Sequence, residues 1–217
     1  MLCMFAENTF LRIDLPFSAR LVGSLTAKRR WYVMRFATLV AVAMVATGCS
    51  ATAGSHAMMV TKGYAFPPPA ARVFCANQPR LCSTSGRVKL VTLTPARRAE
   101  LEAVNTSVNR RIEERSDLVT AGSADDWRLP TKQGDCEDIA ILKKSELLKR
   151  GWPASALLLT VASLGGEGHT VLTVRTDKGD LILDNRGSVI RDWSNTSYRY
   201  FARQSQSANG KWVRIGS

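Results

Sequence analysis

The sequence predicts an α+β domain in which helices come first and an antiparallel sheet follows. Three observations predict it. Apolar residues recur at helical spacing through about residues 95–116, and again from Asp135 or Cys136 to Arg150. After Gly151 the composition changes to short runs rich in Val, Leu, Ile and Thr. The runs are punctuated by "DKGD" at 177–180, a hairpin turn signal, and helices followed by hairpin-linked strands make an α+β arrangement.

Residues 1–49 read as an export signal region. "MRFATLVAVAMVATGCS", Met34 to Ser50, has a basic start at Arg35, an apolar core from Phe36 to Ala46, and small residues before Cys49. That core is too short to span a bilayer and suits a signal peptide. Residues 1–33 carry scattered charges without such organisation, so either Met34 is the true start or the n-region is unusually long. Cys49 after "ATG" offers a lipid-attachment site, although Ala46 stands where Leu is usual; simple cleavage and release is the alternative. Residues 50–70 read as a flexible tether, small residues followed by "PPP" at 67–69, which favours extended backbone. The folded domain is then 71–217.

Export governs how the cysteines are read. Of Cys3, Cys49, Cys75, Cys82 and Cys136, the first two fall in the signal region. Cys75 and Cys82, in "FCANQPRLC", close a short loop, and an oxidising compartment makes them a disulfide. A metal site there would need a further Cys or His close by, and the sequence offers none. Cys136 is left alone.

The helix at about 95–116 has Thr94 as a cap and Pro95 in its first turn, and Leu101, Val104, Val108 and Ile112 form one buried stripe. Residues 117–134 are polar and turn-rich. In the next helix Ile139, Leu142 (or Ala140) and Leu147 face inward, Lys149 and Arg150 suit the C-terminus, and Gly151 the stop. Strands follow at 156–162, 169–176 and 180–185, with further ones at 189–193 and 211–215. An apolar content of 45% supports a real core. The formal charge of +12 is spread along the chain, with 24 Lys and Arg against 16 Asp and Glu after residue 49. No long basic run with interleaved aromatics occurs, so the charge reads as a solvated surface, not a nucleic-acid site.

The chemistry concentrates at "KQGDCEDIAILKK", residues 132–144. A cysteine at a helix N-terminus meets unpaired N–H groups and the positive end of the dipole, which favour the thiolate. Asp135, Glu137 and Asp138 oppose it only where their side chains point at the sulfur, and successive helical side chains diverge by about 100°. A thiol nucleophile also needs a base and a group to orient that base. His56 lies in the tether; His169 starts a strand after "GGEG"; Asp184 ends the next strand in "LILDN". Cys136 as nucleophile, His169 as base and acid, and Asp184 as orienting group make a complete set. A two-residue turn at Lys178–Gly179 puts His169 and Asp184 on one face but about 13 Å apart along the strands, so a bulge, a twist or a different turn must close the gap. Gln133 offers an oxyanion donor beside the Cys136 amide, or is a surface residue. Trp127 lines a substrate groove or packs on the core.

"DDWRLPTKQGDCEDIAILKKSELLKRGWP", then "GHTVLTV", then "LILDN", resembles the bacterial transglutaminase-like cysteine peptidases, the LapG-type periplasmic proteases, over roughly residues 90–200. The resemblance implies a papain-like fold, with a Cys-bearing helix packed on an antiparallel sheet that carries His and Asp. It implies the roles just given for Cys136, His169 and Asp184. It also implies a calcium ion held by Asp135 and Glu137, with Asp138 a weaker ligand; hard carboxylate oxygens suit that ion. Capping by Asp135, with Glu137 and Asp138 complementing the dipole, accounts for the same acids without metal, and both can hold together. The family's biology implies a protein substrate, a surface adhesin of biofilms, and control by an inner-membrane receptor. Three readings follow: an exported thiol peptidase; a transglutaminase-type acyltransferase using the same three residues; and a non-catalytic exported binding module or lipoprotein, for which His169 should lie far from Cys136.

Overall fold

The computed structural model describes residues 57–117 and 125–216, so the expected signal region, Cys49, His56 and tether residues 50–56 lie outside the described residues. The chain enters as strand β1 (Thr61–Ala65), inside the segment read as a tether. That segment is ordered because it pairs antiparallel with the last strand, Thr61 opposite Ile215 and Ala65 opposite Trp212. Gly63, at φ 60°, supplies the bulge between Lys62 and Tyr64.

Helices α1 (Pro69–Asn77) and α2 (Pro79–Cys82) each open on a proline, whose fixed φ and missing N–H suit a first turn. The expected disulfide joins Cys75 to Cys82 across them. Helix α3 (Pro95–Arg111) starts as the sequence predicts, with Thr94 Oγ1 accepting the Arg97 N–H at 3.2 Å. Its stripe of Leu101, Val104, Val108 and Ile112 is buried. It ends short of residue 116 because Glu113–Glu114 (β2) pair in parallel with Gln133–Gly134 (β3).

Helix α4 (Cys136–Lys149) ends where Gly151, at φ 79°, lets its N–H reach the Leu148 carbonyl and the Trp152 N–H reach that of Leu147. Six further strands follow: β4 (Leu157–Leu164), β5 (Glu167–Thr176), β6 (Gly179–Leu183), β7 (Arg191–Asp192), β8 (Arg199–Gln204) and β9 (Trp212–Ile215). Among the described residues they and β1 form a seven-stranded antiparallel sheet in the order β1-β9-β8-β4-β5-β6-β7. The α+β expectation therefore holds.

Helices α3 and α4 bury Val104, Ile139, Leu142 and Leu147 against Leu157, Leu159, Leu172, Val174 and Leu183. A smaller cluster of Met59, Val171 and Ile182, flanked by Tyr198 and Tyr200, fills the sheet's other face. Eleven of the fourteen residues of α4 are buried, so its charged side chains must find partners inside. Lys144 Nζ donates to Gln204 Oε1 at 2.9 Å and to the Ser83 carbonyl at 3.1 Å, and Gln204 Nε2 donates to the Cys82 carbonyl. The disulfide corner, β8 and α4 are thereby tied together.

Replacing both Cys75 and Cys82 by Ser should lower unfolding free energy by about 2–3 kcal/mol, the loop-entropy value for so short a bridge. Urea unfolding with thiol quantification checks this; two free thiols in the wild-type protein would contradict the bridge.

Candidate active site

Strand register brings His169 and Asp184 together. Thr176 pairs with Gly179, so the turn is Asp177–Lys178 and not the expected Lys178–Gly179. Gly179 is the reason. Its φ of 98° is a left-handed conformation, and a Cβ there would lie 2.5 Å from Asp192 Oδ2 and 3.0 Å from the Ala57 carbonyl. Moving the turn by one residue changes the register by two. Leu172 now faces Leu183, which sets Asp184 beyond the ladder on a diagonal from His169, a separation side chains can bridge. His169 Nε2 lies 2.8 Å from Asp184 Oδ1.

Burial acts to raise the Asp184 carboxyl, but hydrogen bonds from His169, the Tyr198 hydroxyl and the Arg186 amide outweigh it and hold the group below the usual carboxylate range. An ionised carboxylate only accepts, so the His169 Nε2 carries the hydrogen. In the neutral ring Nδ1 then carries the lone pair, which is the form of a general base. The Tyr198 ring stacks on the imidazole with centroids 5.0 Å apart while its hydroxyl donates to Asp184 Oδ2. Tyr198 thus fixes both partners. It lies in "NTSYRY", outside every expected strand, and only the tertiary fold reveals it.

Cys136 is the first residue of α4. It lines a cavity of about 420 Å³ together with Glu137, Trp127, Phe201 and, from β4 and β5, Ala162 and His169. Cys136 and His169 therefore share one chamber, contrary to the binding-module expectation. The thiol donates to Glu137 Oε2 at 3.1 Å. Trp127 meets both of its expectations, lining the chamber and packing edge-on against Trp212 with centroids 6.3 Å apart. Gln133 is a surface residue: its amide donates to Glu113 Oε2 at 2.8 Å on the β2–β3 ribbon, so it does not serve as the oxyanion donor.

The acids around Cys136 form two overlapping groups. Carboxylate oxygens of Asp117, Asp125 and Glu137, and of Asp117, Asp135 and Asp138, lie within 4.8 Å of one another. Asp135 stands at the N-cap position without a side-chain capping bond, so the capping account of this residue does not apply. Asp117 and Asp125 come from the polar segment 117–134, where the sequence offers no spacing to single them out. Arg128 supplies partial compensation, reaching Asp117 at 3.2 Å, Asp126 at 3.1 Å and Asp138 at 3.4 Å. Gly134 is required by this packing: a Cβ would lie 2.7 Å from Asp138 Oδ2.

Burial, reinforced by the charge of Asp135, pushes Glu137 up to about 9. Burial likewise pushes Asp138 up to about 8, against the pull of the Arg128 amide and guanidinium. A set of oxygen donors this close, buried except for Asp125 and mutually repelling, fits a hard divalent cation such as calcium.

A cysteine at a helix N-terminus, in one chamber with a sheet-borne His–Asp pair, defines a thiol enzyme of papain-like or transglutaminase-like architecture. Residues 61–217 match the family described as "Bacterial transglutaminase-like cysteine proteinase BTLCP", and the chain belongs to it and is a cysteine peptidase. Similar solved structures are those of Legionella pneumophila LapG. The calcium-bound form is 27% identical over 70% of this chain and 84% of that one; the EGTA-treated form is 28% identical over the same shares. A further LapG structure is 28% identical over 68% and 81%, and all three have a TM-score of 0.47. No curated protein matches.

The raised acids predict a pH dependence. Between the unfolded values of 4.5 and 3.8 and the folded values near 9 and 8, the folded chain holds protons that the unfolded chain has released. Stability is then lost as pH rises, by at most about 1.4 kcal/mol per pH unit for each proton. Asp184 titrates below this window, and burial pushes Lys143 and Lys144 down only to about 7, so their opposing effect begins higher. Melting temperature in chelator should fall from about pH 5 to about pH 6.5; a rise would contradict the assignment.

Proposed function

We propose that this chain is an exported thiol peptidase that hydrolyses a peptide bond of a protein substrate through Cys136, His169 and Asp184. The observation that carries the reading is the shared chamber of Cys136 and His169, with Asp184 bonded to the far side of the imidazole. His169 Nδ1 takes the thiol proton, and the thiolate attacks the scissile carbonyl carbon. The imidazolium then gives its proton to the leaving amine as the C–N bond breaks, leaving a thioester. Water, deprotonated by the same nitrogen, attacks the thioester, and the acid and the free thiol are released. Asp184 keeps the ring in its Nε2–H tautomer and stabilises the imidazolium, and Tyr198 holds both. The Cys136 amide, at a helix start where intrahelical acceptors are lacking, suits the developing oxyanion.

Asp135 and Glu137, joined by Asp117, Asp125 and Asp138, would hold calcium, whose charge when bound neutralises the carboxylates beside the sulfur. Export is supported by the signal pattern at 34–50 and by the Cys75–Cys82 disulfide, which persists in oxidising compartments. Lipid attachment at Cys49 rests on the small residues that precede it in "ATGC", and a surface adhesin as substrate and an inner-membrane receptor as regulator rest on the family resemblance.

Iodoacetamide labelling of Cys136 across pH tests the central pair. Wild type should label rapidly at acidic pH, His169→Ala slowly, and both Cys136→Ala and His169→Ala should lose cleavage while keeping their melting temperature. Identical labelling midpoints near about 8.5 in wild type and His169→Ala would make Cys136 an ordinary thiol. Chelation should lower both activity and melting temperature, and Asp135→Ala should blunt both effects; an unchanged melting curve would remove the metal from the reading.

A further inference from the structure

A second cavity, of about 410 Å³, lies beyond Tyr198 and takes Asp184 and Tyr198 as its near wall. Leu164 and Val189 give it an apolar lining, and Arg186 and Arg191 bring two guanidinium groups to it. The acid in its wall is Asp184, whose oxygens already accept from His169, Tyr198 and the Arg186 amide. Neither arginine side chain makes an ion pair among the described residues. The cavity therefore carries net positive charge beside an apolar lining, with its own carboxylate engaged elsewhere.

It adjoins the His169–Asp184 pair. Tyr198 belongs to the cavity wall and stacks on His169 at 5.0 Å. Asp184, in the same wall, bonds His169 at 2.8 Å. Solvated surface arginines usually stand on convex ground; here both line one concavity against a fixed aromatic wall.

We propose that this cavity is a substrate subsite for a carboxylate, gripped by Arg186 and Arg191, so that the enzyme selects peptides with an acidic residue near the cleaved bond. Paired guanidinium groups suit this ligand because each can bind a carboxylate through two parallel N–H bonds. The proposal rests on the peptidase reading for the meaning of "cleaved bond", but the binding it asserts can be measured without turnover. Two sources of carboxylate fit the chemistry, an acidic side chain and a free C-terminus.

The test uses fluorescein-labelled peptides, N-acetylated, with one position at a time fixed as Glu or Gln, each made with an amidated and with a free C-terminus. Binding to the Cys136→Ala protein is read by anisotropy. The Glu peptide should bind about tenfold more tightly than its Gln twin at one position, and Arg186→Gln/Arg191→Gln should bring the ratio to near one. A preference that follows the free C-terminus, lost in the same variant, identifies the chain terminus as the source. Equal affinities for all four peptides, or a preference that survives in the double variant, would overturn the subsite. Cleavage of internally quenched versions by the Cys136 enzyme separates the two ideas. Glu-selective binding without any cleavage defeats the peptidase reading and leaves the anion subsite standing; cleavage indifferent to Glu and Gln at every position defeats the subsite alone.

Discussion

The helix that carries Cys136 is buried nearly all round, and it takes Glu137, Asp138, Lys143 and Lys144 inside with it. An uncompensated charge in that setting costs several kcal/mol, so the surrounding structure is arranged around these groups. Arg128 comes in from the segment before β3 to reach Asp138; β8 turns Gln204 inward for Lys144; the disulfide corner offers the Ser83 carbonyl to the same amine. Lys143 Nζ finds no hydrogen-bond acceptor among the described residues and is held at reduced basicity, with Asp184 and Glu114 favouring its charged form. One helix thus determines where Arg128, β8 and the N-terminal corner have to be.

The second constraint is the pairing of β5 with β6. A side-chain pair across a diagonal works in one register, and a shift by one position would turn Asp184 to the opposite face. The register is held by Gly179, where φ and crowding both exclude a side chain, and by Thr176, whose hydroxyl donates to the Gly179 carbonyl at 2.8 Å and accepts from the Lys178 amide. Beyond the ladder, α3 takes over. Asn109 Nδ2 donates to the carbonyls of Asp184 and Gly187, and Asn105 Nδ2 to those of Gly187 and Ser188. The Asp184 loop is therefore mounted on a helix that the turn alone would not have engaged.

These features explain what the sequence made legible. Local signals act over a few residues, and they gave the N-cap of α3, the stop of α4, and strands β4 to β6 within a few residues. The cysteine, histidine and aspartate stood out because each sits at the end of an element with a clear period. The turn was misplaced by one residue because "DKGD" allows two registers, and the choice depends on Asp192 and Ala57, both distant in sequence from Gly179. Strand β8, "RYFARQ", reads as polar because its buried Arg203 depends on Asp180, 2.9 Å away across the sheet. Strand β1 lacks alternation, and its order comes wholly from β9. Asp117, Asp125 and Tyr198 have no local signature, since only the tertiary fold brings their partners to them.

The electrostatics around the sulfur set the operating condition of the site. The helix terminus favours the thiolate by about 0.3–1 kcal/mol, or up to ~2 in partly buried geometry. A hydrogen bond from the thiol to an ionised carboxylate is worth about 1.5–3 kcal/mol and favours the thiol. With Glu137 charged, the carboxylate therefore opposes the dipole and favours a proton on sulfur. A protonated Glu137 reverses the bond, donating to the thiolate, and its raised basicity makes that form accessible near neutrality. Asp117, Asp125, Asp135 and Asp138 crowd the same corner, so each further negative charge there strengthens the hold on a proton or a cation. The acids that look misplaced beside the thiol thus couple its protonation to whatever neutralises them.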